Sequence, residues 1–263
     1  MPRLLLFLAL TASAQDPAPS GDEQDRILLA MQSYAAQYVS NLPNFLCNQV
    51  TRQLEAGTKS KRWHNGDTLI AKLTFNQGEE HRTLDSVNGK PVKPGSSRLR
   101  TPLVTEGEFG ILLSRVLGPE SEAVFTWHGW DTLRGQRLAV FDYAVDKAHS
   151  TLTLGLSDLA KAVIPYSGSL YADPATGAVW RITDDATEIP AALQTREIST
   201  VVDYAETDIG GVQYLLPIEA SVSLQLEGKR VRNEIEFHDY RKFAADSVIT
   251  FGPPDSPPTP QND

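Results

Sequence analysis

The segment from Ile218 to Glu227 places an apolar residue at every second position and a polar one between, and that period of two constrains the chain more than any other feature. Such a segment is a half-buried strand, with one face on a core and the other in water. Gly228-Lys229 turns the chain into Val231–Tyr240, where Val231, Ile235 and Phe237 share one face and Arg230, Arg232, Glu234, Glu236 and His238 the other, so the two segments form a hairpin.

The same pattern recurs upstream. Leu69, Ala71, Leu73 and Phe75 alternate with polar residues, Asn76-Gln77-Gly78 turns the chain into a strand through His81 to Val87, and Asn44–Val50 alternates with Cys47 on the side of Phe45. Val124–Trp127 and Leu138–Val145 flank another reversal, Leu152, Leu154 and Leu156 alternate, and Ser169–Ala172 joins Val179–Thr183 through Asp173-Pro174-Ala175-Thr176-Gly177. Strands joined by short Gly, Pro, Asn and Asp turns pair with their neighbours as a meander, and no crossover helices alternate with them.

Two helices interrupt the strands. Ile27, Leu28, Met31, Tyr34, Ala35, Tyr38, Val39 and Leu42 recur at helical spacing, with Ser20 and Glu23 as a capping box and Pro43 as the stop. Thr105-Glu106-Gly107-Glu108 has the same capping pattern ahead of Phe109, Leu112, Leu113 and Val116, and Gly118-Pro119 ends that helix. A weaker helical pattern runs from Ser157 to Ile164.

The ends read differently. Arg3, the apolar run Leu4–Leu10 and the small residues up to Ala14 form a signal peptide, residues 1–14, cleaved before Gln15. This gives a periplasmic or secreted protein with no membrane span, since the run is far below the roughly 20 residues a span needs. Residues 15–21 form a flexible leader, 22–252 a single domain, and the proline-rich 253–263 a disordered tail.

The net charge of -9, or -10 after loss of Arg3, argues against nucleic acid and anionic headgroups as partners. The single cysteine, Cys47, forbids an intrachain disulfide and reads as a small buried residue, with a reactive or intermolecular thiol as the alternative. The five histidines stand singly, so no metal site and no cofactor is expected. Nucleophile and phosphate-loop motifs are absent. Glu79, Glu80, Asp184 and Asp185 sit where solvated turn acids sit. Trp127-His128-Gly129-Trp130 is the least ordinary run, either a core cap with one half-exposed ring or the rim of a pocket.

Two passages carry a resemblance. His81–Val92 looks like a strand running into an Asp, Asn-Gly, Pro turn, and Leu170–Ile182 like a strand, Asp-Pro-x-Thr-Gly, strand hairpin; both are similar to the periplasmic lipoprotein-carrier and stress-sensor superfamily of LolA-like and RseB-like proteins. The resemblance implies an α+β, mainly antiparallel β fold: a curved meander sheet, an incomplete β-barrel, wrapped around helices.

It also implies a non-enzymatic protein that holds a lipid, acyl chain or lipoprotein-like ligand on the concave face, or that docks another envelope protein; peripheral membrane contact stays open. Patterning nominates Phe109, Leu112, Leu113 and Val116 as a plug or lid, with Trp127 and Trp130 at the rim, and no catalytic residues. A scaffold without a cavity and, behind it, a hydrolase are the rival readings.

Overall fold

A computed structural model describes residues 16–93, 107–155 and 161–243. The signal segment, the tail, Thr105 and the first half of the weak helical pattern at 157–164 lie outside them. Of that pattern, Lys161–Val163 is strand, not helix.

Helix α1, Gly21–Asn41, starts where Ser20 accepts the backbone N–H of Glu23 at 3.3 Å, satisfying a donor that has no partner within the helix. It buries Ile27, Met31, Ala35 and Tyr38, one stripe at the expected spacing.

Strands β1 (Phe45–Gly57), β2 (His64–Asn76), β3 (Glu79–Val87) and the short β4 (Lys90–Pro91) follow. Helix α2 is Ile111–Leu117, and after it come β5 (Val124–Leu133) and β6 (Gln136–Val145). A small hairpin of β7 (Thr153–Gly155) and β8 (Lys161–Val163) stands apart. The chain then forms β9 (Tyr166–Ala172), β10 (Val179–Ala186), β11 (Thr195–Ile209), β12 (Val212–Leu226) and β13 (Lys229–Lys242).

Among the described residues eleven strands make one antiparallel sheet in the order β4-β3-β2-β1-β13-β12-β11-β10-β9-β6-β5. It is curved and does not close, as the expected incomplete barrel requires. The meander is broken at one place: β1 pairs with β13, Phe45 opposite Lys242 and Gly57 opposite Lys229, joining the two ends of the domain. β4 and β5 are therefore the two edges of the sheet, and the connection between them, which carries α2, runs from one edge to the other.

The core lies between α1, α2 and the inner sheet face. Phe45, Cys47, Leu73, Phe75, Phe141, Leu170, Ile182, Tyr204, Ile235 and Phe237 meet the buried stripes of both helices. Cys47 is 2% exposed, and burial pushes its thiol up to about 12, so the small-core-residue reading holds and the reactive thiol does not.

The Asp173–Gly177 turn shows how local chemistry serves this packing. The Asp173 carboxylate accepts the N–H groups of Ala175 and Thr176, and Gly177 takes φ +73° against α1. A Cβ there would stand 2.2 Å from the Ala30 carbonyl carbon and 2.3 Å from its oxygen. Gly177→Ala is expected to cost about 3 kcal/mol, read as a lowered urea midpoint, because both the positive φ and the helix backbone oppose the methyl group. Stability equal to wild type would show that α1 does not pack on this turn.

Candidate functional site

α2 packs in the core against the inner face of the sheet. Its lead-in differs from the expected capping box: the helix starts at Ile111, Gly110 stands before it with φ +130°, and no side chain caps it. The reason is packing. A Cβ on Gly110 would fall 2.3 Å from Val39 of α1, so the chain passes too close to that helix for any other residue. Glu108 is turned to a different use.

Phe109 is 1% exposed and packs on Phe45, Phe75, Phe237 and Tyr240 with centroids 5.3 to 6.4 Å away. Leu112, Leu113, Val116 and Leu117 are buried, while Ile111 faces out at 59% exposure. The four nominated plug residues thus sit together in the core. They fill the trough, which is not an empty groove.

Buried ion pairs hold both ends of α2. Ahead of it, Glu108 Oε2 accepts from Arg82 Nη2 at 2.7 Å, and the same guanidinium lies 2.9 Å from Glu80 and donates Nε–H to Gln49 Oε1 at 2.9 Å. The Glu108 carbonyl accepts the Tyr204 hydroxyl at 2.9 Å. Within the helix, Arg115 pairs with Asp184, the Tyr143 hydroxyl donates to Asp184 Oδ1 at 3.0 Å, and the Tyr166 hydroxyl donates to the Arg115 carbonyl at 2.9 Å.

Glu80 and Asp184 are therefore not solvated turn acids: their side chains are 11% and 6% exposed. Burial raises the pKa of both, and the neighbouring guanidinium opposes the rise in each case. Two carboxylates share Arg82, and Glu108 Oε1 is buried without a hydrogen-bond partner.

Between α2 and strands β10 and β11 lies a cavity of about 200 Å³. Apolar Ile111, Leu112, Leu152, Ala186, Ile198 and Val202 line it, together with Thr200, Glu108, Arg115 and Asp184. At about 30 Å³ per water this is room for roughly six or seven water molecules.

Trp127 and Trp130 lie elsewhere, on edge strand β5, and do not line this cavity. Their rings meet edge to face at 5.0 Å, and Trp127 packs on Phe141 at 5.2 Å. Trp130 donates Nε1–H to the Pro17 carbonyl at 3.0 Å under the Arg137 guanidinium, which stacks 3.6 Å above its ring and pairs with Asp16 at 2.8 Å. The pair caps the core edge and ties down the start of the described chain.

One polar trio needs a chemical reading. Ser169 donates to Asp142 at 2.6 Å, and His128 Nδ1 lies 2.8 Å from the other oxygen of the same carboxylate. With the carboxylate between them, the imidazole does not reach the hydroxyl proton, so this is no activated nucleophile. Among the described residues no cluster of His, Cys, Asp and Glu could hold a metal ion, and no helix is long and apolar enough to cross a membrane.

The residues missed from sequence were Arg82, Glu108 and Arg115. A usable signal existed for the first: Glu80 and Arg82 are two apart on one strand, hence on one face, and that face is the inner one.

No family model matches the sequence, and no curated protein matches it. Among solved structures the chain is similar to a LolA superfamily protein from Nitrosomonas europaea, at 9% identity over 85% of this chain and 97% of that one, TM-score 0.40. It is also similar to an outer membrane lipoprotein-sorting protein domain from Vibrio parahaemolyticus, at 11% identity over 85% and 93%, TM-score 0.44. A DUF1329 family protein from Desulfovibrio piger matches at 11% identity over 85% and 95%, TM-score 0.41.

Proposed function

We propose that the protein is an exported, non-enzymatic carrier that holds an acyl chain or a similar apolar group on the inner face of its sheet, with α2 as a displaceable plug. The observation that carries this reading is the way α2 is held. Its apolar face fills the trough beside a small cavity of mixed lining, yet its ends are fixed by buried ion pairs, Glu108 with Arg82 and Arg115 with Asp184.

Permanent core is better built from apolar contacts alone, because burying charge in a pair is at best neutral against an apolar replacement. Such pairs suit a contact that must release and re-form. A seven-residue helix has little stability of its own, so its position depends on these contacts.

The volume points the same way. A cavity of about 200 Å³ is below the roughly 300 to 1,000 Å³ of ordinary ligand pockets, so a long chain enters by displacing Leu112, Leu113 and Val116 and taking their place against the sheet. Trp127 and Trp130 do not line this cavity.

Native mass spectrometry of the gently purified protein, with displacement of a fluorescent fatty acid, tests the reading. A co-purifying lipid or saturable displacement is expected. Arg115→Met should speed probe uptake about tenfold, the gain anticipated when a transient opening becomes about 1.4 kcal/mol easier. Neither lipid nor displacement would leave a scaffold without a ligand.

A further inference from the structure

The connection between β1 and β2 and the turn between β12 and β13 lie side by side at one end of the sheet, because β1 pairs with β13 and Gly57 stands opposite Lys229. Thr58 N–H donates to the Gly228 carbonyl at 3.4 Å, and Arg230 donates to the carbonyl of Ser60. This register gathers charge that the linear sequence keeps far apart. Residues 58–63 and 227–232 together hold Lys59, Lys61, Arg62, Lys229, Arg230 and Arg232 against one acid, Glu227, in a chain whose net charge is -9.

Ion pairs absorb only part of this charge. Lys229 reaches Glu55 at 3.4 Å and Arg232 reaches Glu234 at 2.8 Å, but Lys59, Lys61 and Arg62 are exposed and pair with no carboxylate among the described residues. Trp63 sits among them, half-buried, with the guanidiniums of Arg230 and Arg232 at 4.9 and 4.7 Å from its ring. An indole fixed by two cations beside three exposed ones is an amphipathic aromatic within a basic cluster, the composition that settles at the headgroup level of an anionic bilayer.

We propose that this tip docks the protein on an anionic phospholipid surface. The acidic remainder of the molecule does not prevent it. β1 spans about 40 Å at about 3.3 Å per residue, whereas charges are screened over about 8 Å at physiological ionic strength, so the surface senses the tip and not the net charge. The overall charge argues against anionic partners for the surface as a whole, and the tip is the local exception. The assignment is independent of the carrier reading, since it uses no residue of the cavity.

Co-sedimentation of the purified protein with mixed phosphatidylglycerol and phosphatidylcholine vesicles, against pure phosphatidylcholine, is the test. Binding to the mixed vesicles is expected to exceed binding to the neutral ones at least about tenfold and to vanish at about 0.5 M salt. Lys59→Glu, Lys61→Glu and Arg62→Glu combined should remove it while leaving the circular dichroism spectrum and fatty-acid displacement unchanged. Lys229→Glu, at the neighbouring turn, should lower it on its own. Equal binding to both vesicle types, no binding to either, or undiminished binding by the triple and single variants overturns the proposal. Retention on a soluble polyanion such as heparin without vesicle binding also overturns it, in favour of an acidic macromolecule as the partner.

Discussion

Phe109→Ala is expected to lower the unfolding free energy by about 3 to 5 kcal/mol, the range for a buried phenylalanine cut to alanine. The ring is 1% exposed and touches aromatic side chains from β1, β2 and β13. Its loss opens a cavity that these rings, fixed on strands, cannot collapse to fill. Urea denaturation followed by tryptophan fluorescence reads the change as a lower midpoint. Phe109→Leu, which keeps most of the volume, should lose less than half as much. The loss should also fall unevenly: with its anchor gone, the segment from Gly107 to Gly118 should be cut by protease well before the sheet is. A variant that unfolds at the wild-type midpoint, with no new cleavage there, would mean that Phe109 does not seat the segment.

How much of this could be read in the sequence depends on how local each feature is. The β12–β13 hairpin was legible because alternation and a Gly-Lys turn are contiguous, and α1 because its apolar stripe, its Ser20 cap and the stop at Pro43 lie within two dozen residues. β11 was not legible. Its inner residues Val202 and Tyr204 flank Asp203, which is 8% exposed and held by Arg181 of β10, and a register shift between Asp203 and Tyr204 breaks the alternation.

The pairing of β1 with β13 left no local signal, since its partners lie some 170 to 200 residues apart. The basic tip depends on that pairing and was hidden with it. The site behaves in the same way. Leu112, Leu113 and Val116 were found from helical spacing, but the burial of Glu80 and Asp184 depends on guanidiniums delivered by Arg82 and Arg115 once the inner face has formed.

Arg82→Met should cost about 3 to 5 kcal/mol at pH 7, the penalty for removing one partner from a buried charged cluster, and the loss should shrink on acidification. Arg82 is shared by Glu80 and Glu108, whose side chains are 11% and 3% exposed. Without it two carboxylates remain buried beside each other, each with an oxygen already lacking a hydrogen-bond partner. The sign of the pH dependence follows from Glu80. Its folded pKa is raised, by burial first, so the fold holds its proton more tightly than the unfolded chain does. The penalty is absent below the unfolded pKa, near 4.5, and grows as pH rises through the folded value. Removing the guanidinium takes away the influence that holds that value down, which widens the window upward. The variant should therefore recover stability relative to wild type as pH falls from neutrality toward about 4.5. Adding Glu80→Gln and Glu108→Gln should restore most of the loss at pH 7, because the carboxylates left behind, and not the missing bonds of Arg82, carry the cost. A loss that is the same at every pH, or that the glutamines do not repair, would mean that Arg82 acts through packing alone and that the N-terminal end of α2 is not held by charge.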